Sequence, residues 1–467
     1  MSRYYTVLAV ALFECVLLAW PSSALGSFDL FATKQYVASG PFAGSSDAAM
    51  CQRDKIQKQL TLADVVDLAL CNNPQTRSVW ASSRVQAAQL GTSLSAYLPT
   101  LSGPISVLSS RTRVGATTTE STLKDASVSI SYLLYDFGGR EADVENSKQL
   151  LVAANATRDE TLQGVLLTAV QSYYTLFSAR ASAQSYQIAE VAASKSLDAA
   201  QARYQAGTAT QADRLQAQTA LSQTVLNRIR AEGDAANAQG ALANIMGFDA
   251  NQSFVLLPIQ ENSPDLAAEQ GIGKLIEEAR QNRPDLAAAE AQIKAAEAQL
   301  VSTKASGLPT FTLNGGITRS ESNDGTASIS HSNSLGIRID VPWFSGYRDT
   351  YRNRAAQAQL EGKVAERDRL ANQIALEVWQ AYQALLTNSQ ALRAADDLVA
   401  SAVESEKIAL GRYKAGVGSI LDALTAQSTL ASAHQQRVSA LYNFQASKFA
   451  LAQAIGRLDL TLPGIKN

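Results

Sequence analysis

The chain has 467 residues, of which 46% are apolar, 18% charged and 7% aromatic. That is too apolar for a disordered chain and too sparsely charged for a long soluble coiled coil. Lys and Arg number 40 against 42 Asp and Glu, a formal charge of −2, so no basic excess exists to neutralise phosphates and nucleic acid is not an expected partner. The two histidines, His331 and His434, are far apart in sequence, so neither a metal nor a cofactor is expected.

Arg3 is followed by an apolar run from Val7 to Trp20, interrupted by Glu14, then by Ser22, Ser23, Ala24, Leu25 and Gly26. The run is shorter than the ~20 residues of a helical span, and Ala24 and Gly26 fit the small positions before a cleavage. Residues 1–26 therefore read as a secretory signal peptide, with a membrane anchor as the alternative. Cys15 follows Glu14, where a lipoprotein cysteine needs a small neighbour. No other stretch approaches a transmembrane helix, so any passage of the exported chain through a membrane must use strands. Cys51 and Cys71 remain after export. In an oxidising compartment a disulfide is their default, and two free buried thiols the other possibility.

The mature chain is one unit written twice. Asn73-Pro74 recurs as Arg283-Pro284, and Leu98-Pro99-Thr100 as Leu308-Pro309-Thr310, both displaced by 210 positions. Arg203-Tyr204-Gln205-Ala206-Gly207 with Asp213 recurs as Arg412-Tyr413-Lys414-Ala415-Gly416 with Asp422, displaced by 209. The organisation is an N-terminal extension 27–60, a first repeat 61–248, an insert 249–272, a second repeat 273–456 and a tail 457–467. Each repeat reads helix, β-hairpin, long helix, turn, helix, with hairpins at about 98–137 and 308–344.

In chain order, a helix is expected from about Thr61 to Ala96, with Thr61 and Asp64 as an approximate capping box and Pro74 breaking or bending it. Its counterpart covers about Lys274 to Ala305, with Pro284 near its start. Val128, Ile130, Tyr132 and Leu134 alternate with Ser127, Ser129, Ser131 and Leu133. Phe311, Leu313 and Ile317 alternate with Thr310, Thr312 and Asn314, and Leu335, Ile337, Ile339 and Val341 with Ser334, Gly336, Arg338 and Asp340. Such alternation means strands with one apolar and one polar face. Gly115–Lys124 and Glu321–Ser330 read as polar linkers between the strands of each pair.

Two readings fit these strands. One is a small sheet packed on soluble helices. The other is a membrane barrel, with strands near the ~9–11 residues a span requires. Tyr132, Tyr135 and Phe137, then Trp343, Phe344 and Tyr347, gather where strand returns to helix and suit an interfacial girdle. Four strands cannot close a barrel and an open edge cannot exist in lipid, so spanning strands require several chains; three would give twelve strands.

Glu141 to about Arg203 and Asp349 to about Arg412 contain no proline. Each would be a helix about 95 Å long at the ~1.5 Å rise. Shorter helices follow, about Gln211–Met246 and Ile420–Ile455, so that two short helices end to end could flank each long one. Ala, Gln and Ser on the helical faces fit a bundle around an aqueous lumen, with a plain elongated coiled coil as the alternative.

These residues together resemble the TolC family of outer-membrane channel proteins. The resemblance is carried by Ala69-Leu70 to Asn73-Pro74, Tyr97-Leu98-Pro99, Tyr135-Asp136-Phe137-Gly138-Gly139-Arg140 and the two Arg-Tyr-x-Ala-Gly turns. It implies a mainly α fold with a membrane β-hairpin pair: an internally duplicated α-barrel plus a twelve-stranded trimeric β-barrel. It also implies a homotrimer in outer-membrane lipid with a long periplasmic portion. A periplasmic adaptor (membrane fusion) protein would connect it to an inner-membrane transporter, ABC or proton-driven, for type I protein secretion, drug efflux or both.

The resemblance further implies a periplasmic gate. Tyr413 matches the gate tyrosine, Asp213 the linking aspartate and Asp422 one acidic ring position, with Tyr204 as the first-repeat counterpart of Tyr413. Gly207, Gly416, Gly418 and Ser419 mark the gate turns and candidate adaptor contacts. Gly418 stands where the family's arginine is expected and Thr425 where a second acidic ring is. Helix punctuation explains the same residues otherwise, with Gly207 and Gly416 as C-caps and both aspartates as first-turn acids. A periplasmic coiled-coil adaptor or scaffold without a pore is the competing function, although it has no use for amphipathic strands. An enzyme is not expected: there is no nucleophile elbow, phosphate loop or H-E-x-x-H.

Overall fold

A computed structural model of the chain describes residues 29–40, 59–257, 271–323 and 327–458. The expected signal peptide, Cys51, most of the insert and nearly all of the tail lie outside these residues. The described residues fall into two units, each described by itself. One contains the described residues of 29–37, 84–148 and 301–349; the other contains those of 38–83, 149–300 and 350–458.

The first unit holds the sheet. Its strands are β2 (Thr100–Ser102), β3 (Ile105–Val114), β4 (Thr117–Tyr135), β6 (Thr310–Asn323) and β7 (Ala327–Asp340). Both β2 and β3 pair with β4, so the antiparallel order is β2/β3, β4, β6, β7. The register sorts the side chains. Leu101, Ile130, Gly315 and Leu335 form one row across the sheet, and Tyr132, Leu313 and Ile337 another on the same face. The opposite face carries rows such as Ser102, Ser129, Gly316 and Ser334, and Ser127, Thr318 and Ser332. Ser102 and Ser129 share a 2.7 Å hydroxyl contact, as do Ser110 and Ser121.

The polar linkers expected at 115–124 and 321–330 are mostly strand. β4 is 19 residues long and begins at Thr117, and β6 runs to Asn323. Alternation fails there because both faces are polar, while the backbone ladder continues from Ile105↔Ala126 to Val114↔Thr117 without a break. Thr-rich sequence tolerates such pairing well.

The second unit is helical, and residues 84–95, 139–148, 301–305 and 348–349 of its helices belong to the first. Here α1 (Leu62–Asn72) leads into α2 (Pro74–Ser95), and α3 (Gly139–Gln205) turns into α4 (Gln211–Ile245). The second repeat supplies α5 (Ile272–Asn282), α6 (Pro284–Ala305), α7 (Arg348–Lys414) and α8 (Ile420–Ala454). Corresponding helices have equal lengths: 11, 22, 67 and 35 residues in both sets. The proline break is complete, since Asn73 and Arg283 are extended and the prolines begin new helices. The expected capping box at Thr61 and Asp64 is formed.

The short helices meet end to end. Gly247 adopts φ +78°, and a Cβ there would lie 2.7 Å from the Asn72 side chain and carbonyl. Gly456, at φ +74°, abuts Asn282 and Arg283 in the same way. Asn73 Nδ2 donates to the Ile245 carbonyl at 3.2 Å across the first junction. A core of Val65, Val66, Leu70, Val170, Tyr173, Leu242 and Met246 seals it. At the second, Leu275, Ile374, Val378 and Leu451 do the same. There Arg283, 6% exposed, donates to both Asp285 oxygens and pairs with Glu377 at 2.8 Å. An open groove of about 680 Å³ between α3, α4 and α8 is lined by Gln171, Tyr174, Ser178, Asn227, Gln435 and Asn443, among others.

The N-terminal arm contributes a 3₁₀ turn, Thr33–Tyr36. Thr33 Cγ2 lies 3.4 Å from the position of a Cβ built on Gly91. In the helical unit, Trp80 Nε1 donates to the Ala38 carbonyl at 2.9 Å. Cys71 is buried and disulfide-bonded, while its expected partner Cys51 is outside the described residues. Strand β1 (Gln59–Leu60) pairs in parallel with β5 (Val255–Leu256), tying the end of the N-terminal extension to the insert.

Gly247→Ala should lower the melting temperature by several degrees, a cost of about 2–4 kcal/mol, because a forbidden φ and a steric clash coincide; thermal unfolding of the purified protein checks it. Glu160 gives a pH-dependent test. Burial, then the nearby Asp285 carboxylate, raises its pKa above the ordinary glutamate value. The folded form therefore holds this proton more tightly than the unfolded chain, and stability falls as pH rises through the raised value. Glu160→Gln should raise the melting temperature at about pH 7.5 and leave it nearly unchanged at about pH 4.

Candidate functional site

The two helix-to-helix turns come together within the helical unit. In the first, α3 ends in a left-handed Gly207, φ +70°, and the Thr208 amide donates back to the Arg203 carbonyl at 2.9 Å. In the second, Gly416 has φ +78°, and the Val417 and Gly418 amides both reach the Arg412 carbonyl, at 3.0 and 3.1 Å. These are glycine C-caps that satisfy the last helical carbonyls.

Asp213 is engaged within its own turn. Its Oδ2 accepts from the Thr210 amide at 2.8 Å and hydroxyl at 2.9 Å, and its amide donates to Thr210 Oγ1. This is a full capping box. Asp422 differs: its amide donates to Ser419 Oγ at 3.1 Å, but its carboxylate has no hydrogen-bond partner among the described residues. The two aspartates are equivalent in the repeat and unequal in the structure. Asp422 is the exposed, uncommitted charge at the start of α8.

The tyrosines also diverge. Tyr204 is 40% exposed, with Arg214 above its ring at 5.6 Å. Tyr413 is 6% exposed and packs with Ile420, Ala423 and Leu424. The Arg203 guanidinium lies 4.7 Å from the Tyr413 ring centre and donates to the Tyr413 carbonyl at 2.6 Å. The Tyr413 hydroxyl is buried without a hydrogen-bond partner among the described residues. Arg203 is the residue that sequence reasoning missed. It belongs to the repeated Arg-Tyr motif, yet only the fold shows it reaching across to the other repeat.

Gly418 is constrained by its neighbours. A Cβ there would lie 2.9 Å from Arg412 Cβ and 3.2 Å from the Tyr413 amide nitrogen. A side chain at this position would require the turn to shift, and the two turns are tied by Arg203.

The strand-to-helix corner explains a second motif. Asp136 Oδ2 accepts from the Arg140 amide at 2.7 Å, and its side chain pairs with the Arg140 guanidinium at 3.3 Å, both side chains nearly buried. Arg140 Nη1 donates to the Leu133 carbonyl at 2.7 Å and the guanidinium covers the Tyr97 ring at 4.9 Å. Phe137, φ 54°, and Gly138, φ 87°, make the reversal. A register shift between Leu133 and Tyr135 places Tyr135 opposite Phe311, with ring centres 6.3 Å apart. Tyr135, Phe137, Trp343 and Phe344 are all exposed, Trp343 at 91%; Tyr132 is half-buried within β4.

Among the described residues, no group of three or more His, Cys, Asp or Glu side chains is placed to hold a metal, and no helix is long and apolar enough to cross a membrane. The model of a family of outer membrane efflux proteins matches residues 65–248 and 275–457. The chain belongs to that family. Protein CyaE of Bordetella pertussis is 29% identical over 401 residues, covering 85% of this chain and 84% of that protein. Outer membrane protein TolC of Vibrio cholerae is 24% identical over 405 residues, covering 85% and 91%. The fold is also that of the Campylobacter jejuni CmeC outer membrane channel, with a TM-score of 0.75 at 20% identity over 87% of this chain and 88% of that one. The protein is thus an outer-membrane export channel.

Arg203→Ala should loosen the second turn by about 2 kcal/mol, the loss of a charged hydrogen bond and a cation–π contact. Amide hydrogen exchange at Val417 and Gly418 should speed up, while exchange in the first turn stays unchanged.

Proposed function

We propose that the protein works as a homotrimeric duct, with twelve strands in outer-membrane lipid and the duplicated helices as a periplasmic conduit. The observation that carries this reading is the sheet: one face apolar, the other lined with hydroxyls, and both outer strands paired on one side only. Closure through three copies supplies the missing pairs and leaves the hydroxyl face toward water. Halves bounded near 61–248 and 273–456 form the conduit wall. The disulfide expected between Cys51 and Cys71 tethers the N-terminal arm to it.

The turns at Tyr204–Asp213 and Tyr413–Asp422 form the periplasmic gate and the region that meets a periplasmic adaptor, with Gly207, Gly416, Gly418 and Ser419 shaping that contact. The energy comes from an inner-membrane transporter, whether for protein secretion or drug efflux. Three copies of the uncommitted Asp422 around one axis would repel each other and draw cations. Asp213 contributes through the rigidity of its turn, and the exposed aromatics Tyr135, Phe137, Trp343 and Phe344, with Tyr132, sit at the lipid interface.

Single-channel conductance in a planar bilayer tests this. Wild type should show a small resting conductance and Asp213→Ala/Asp422→Ala a larger one. A pore unaffected by the double substitution would move the gate elsewhere. Well-folded protein that never inserts would favour a periplasmic scaffold.

A further inference from the structure

The apolar face of the sheet ends abruptly. Along β6 it begins at Phe311, which pairs with Tyr135 and Ile339, and continues through Leu313, Gly315 and Ile317. The next residue on that face is Arg319, which stands opposite Ala126 on one side and His331 on the other. Phe311 to Arg319 is nine residues, within the ~9–11 that a tilted spanning strand requires. One row further on the same face are Lys124 and Glu321, paired at 3.4 Å. Beyond them Arg111 pairs with Glu120, and Arg113 stands opposite Thr118. An aromatic row thus closes one end of the apolar band; at the other, Arg319 and Lys124 enter in successive rows, the first shared with Ile105 and Ala126 and the second with Val107 and Ile329.

The charges do not cancel. Glu321 is committed to Lys124 and Glu120 to Arg111, whereas Arg319 and Arg113 make no ion pair with any described carboxylate. His331 adds two ring nitrogens directly across from Arg319. This surplus is local, because the chain as a whole carries a formal charge of −2.

We infer that Arg319, with Lys124 and His331, forms a collar that binds the phosphate of an outer-leaflet glycolipid headgroup. The inference rests on the barrel reading above, which turns this face toward lipid. Its basis is the juxtaposition itself: an apolar face that with its bounding Arg319 reaches spanning length, and there an unpaired guanidinium beside Lys124 and His331 where the headgroup plane would lie. A guanidinium suits this task because its fork binds two phosphate oxygens at once. The apolar rows below it would take the acyl chains of the same molecule. The hairpin of β3 and β4 continues past the collar to Val114 and Thr117, so the headgroup would lie against strand and not against a loose loop.

The test uses the purified full-length protein in detergent, titrated with bisphosphorylated lipid A and, separately, with its dephosphorylated form. The phosphorylated lipid should bind more tightly, and Arg319→Gln should weaken it about five-fold, the share of one cation near a charged surface. Lys124→Gln in addition should weaken it further, and Glu321→Gln should strengthen it by releasing Lys124. Bilayer insertion and conductance should be the same in Arg319→Gln and wild type. Equal binding of the two lipid forms by protein that inserts normally would overturn the collar alone. So would an unaltered affinity in Arg319→Gln, or displacement of the lipid by inorganic phosphate at equal concentration, which would make the site one for the free anion. Wild type that neither inserts nor binds either lipid would overturn the barrel reading with it.

Discussion

The constraint on which this protein depends is the unpaired edge of a sheet. β2 and β3 bond to β4 on one side, and β7 bonds to β6 on one side, leaving a row of peptide groups on each flank. Water can satisfy such groups but hydrocarbon cannot. On the duct reading proposed above, the described strands, which fill four positions of one open sheet, find their remaining pairs on other copies. The division of the two faces follows from the same demand. A closed barrel needs apolar side chains outside and tolerates hydroxyls within, and the register from Leu101 through Leu335 and from Ser102 through Ser334 separates them row by row.

The helices obey a different constraint, which is duplication. Equal helix lengths in the two repeats set equivalent residues at equivalent places, and the glycines at 247 and 456 let short helices butt together where no Cβ would fit. The symmetry nevertheless breaks. It does so at the turns: Asp213 is locked in its capping box while Asp422 is free of one, and Tyr413 is buried under Arg203 while Tyr204 is exposed.

Much of this was legible in the residues. The two displacements of 210 and 209 positions revealed the duplication, Pro74 and Pro284 the helix breaks, and Thr61 with Asp64 a cap that the structure contains. Strand periodicity marked the apolar band and stopped where it stopped. The start of β4 was invisible to it, because Thr117 to Thr122 is polar on both faces and a ladder of backbone bonds leaves no trace in side-chain alternation.

The sequence by itself determined the local and the periodic: element types, their order, the repeat, the capping residues and the family resemblance. Each depends on neighbours a few residues away or on a pattern counted along one chain. The tertiary structure alone decided which residues meet across the repeats. It laid Arg203 on Tyr413, closed the Gly418 position to any side chain, turned Tyr135 toward Phe311 through a register shift, and set Arg319 beside His331 at the end of the apolar rows. Such contacts join residues far apart in the chain, and their geometry is set by packing and register, which no single segment encodes.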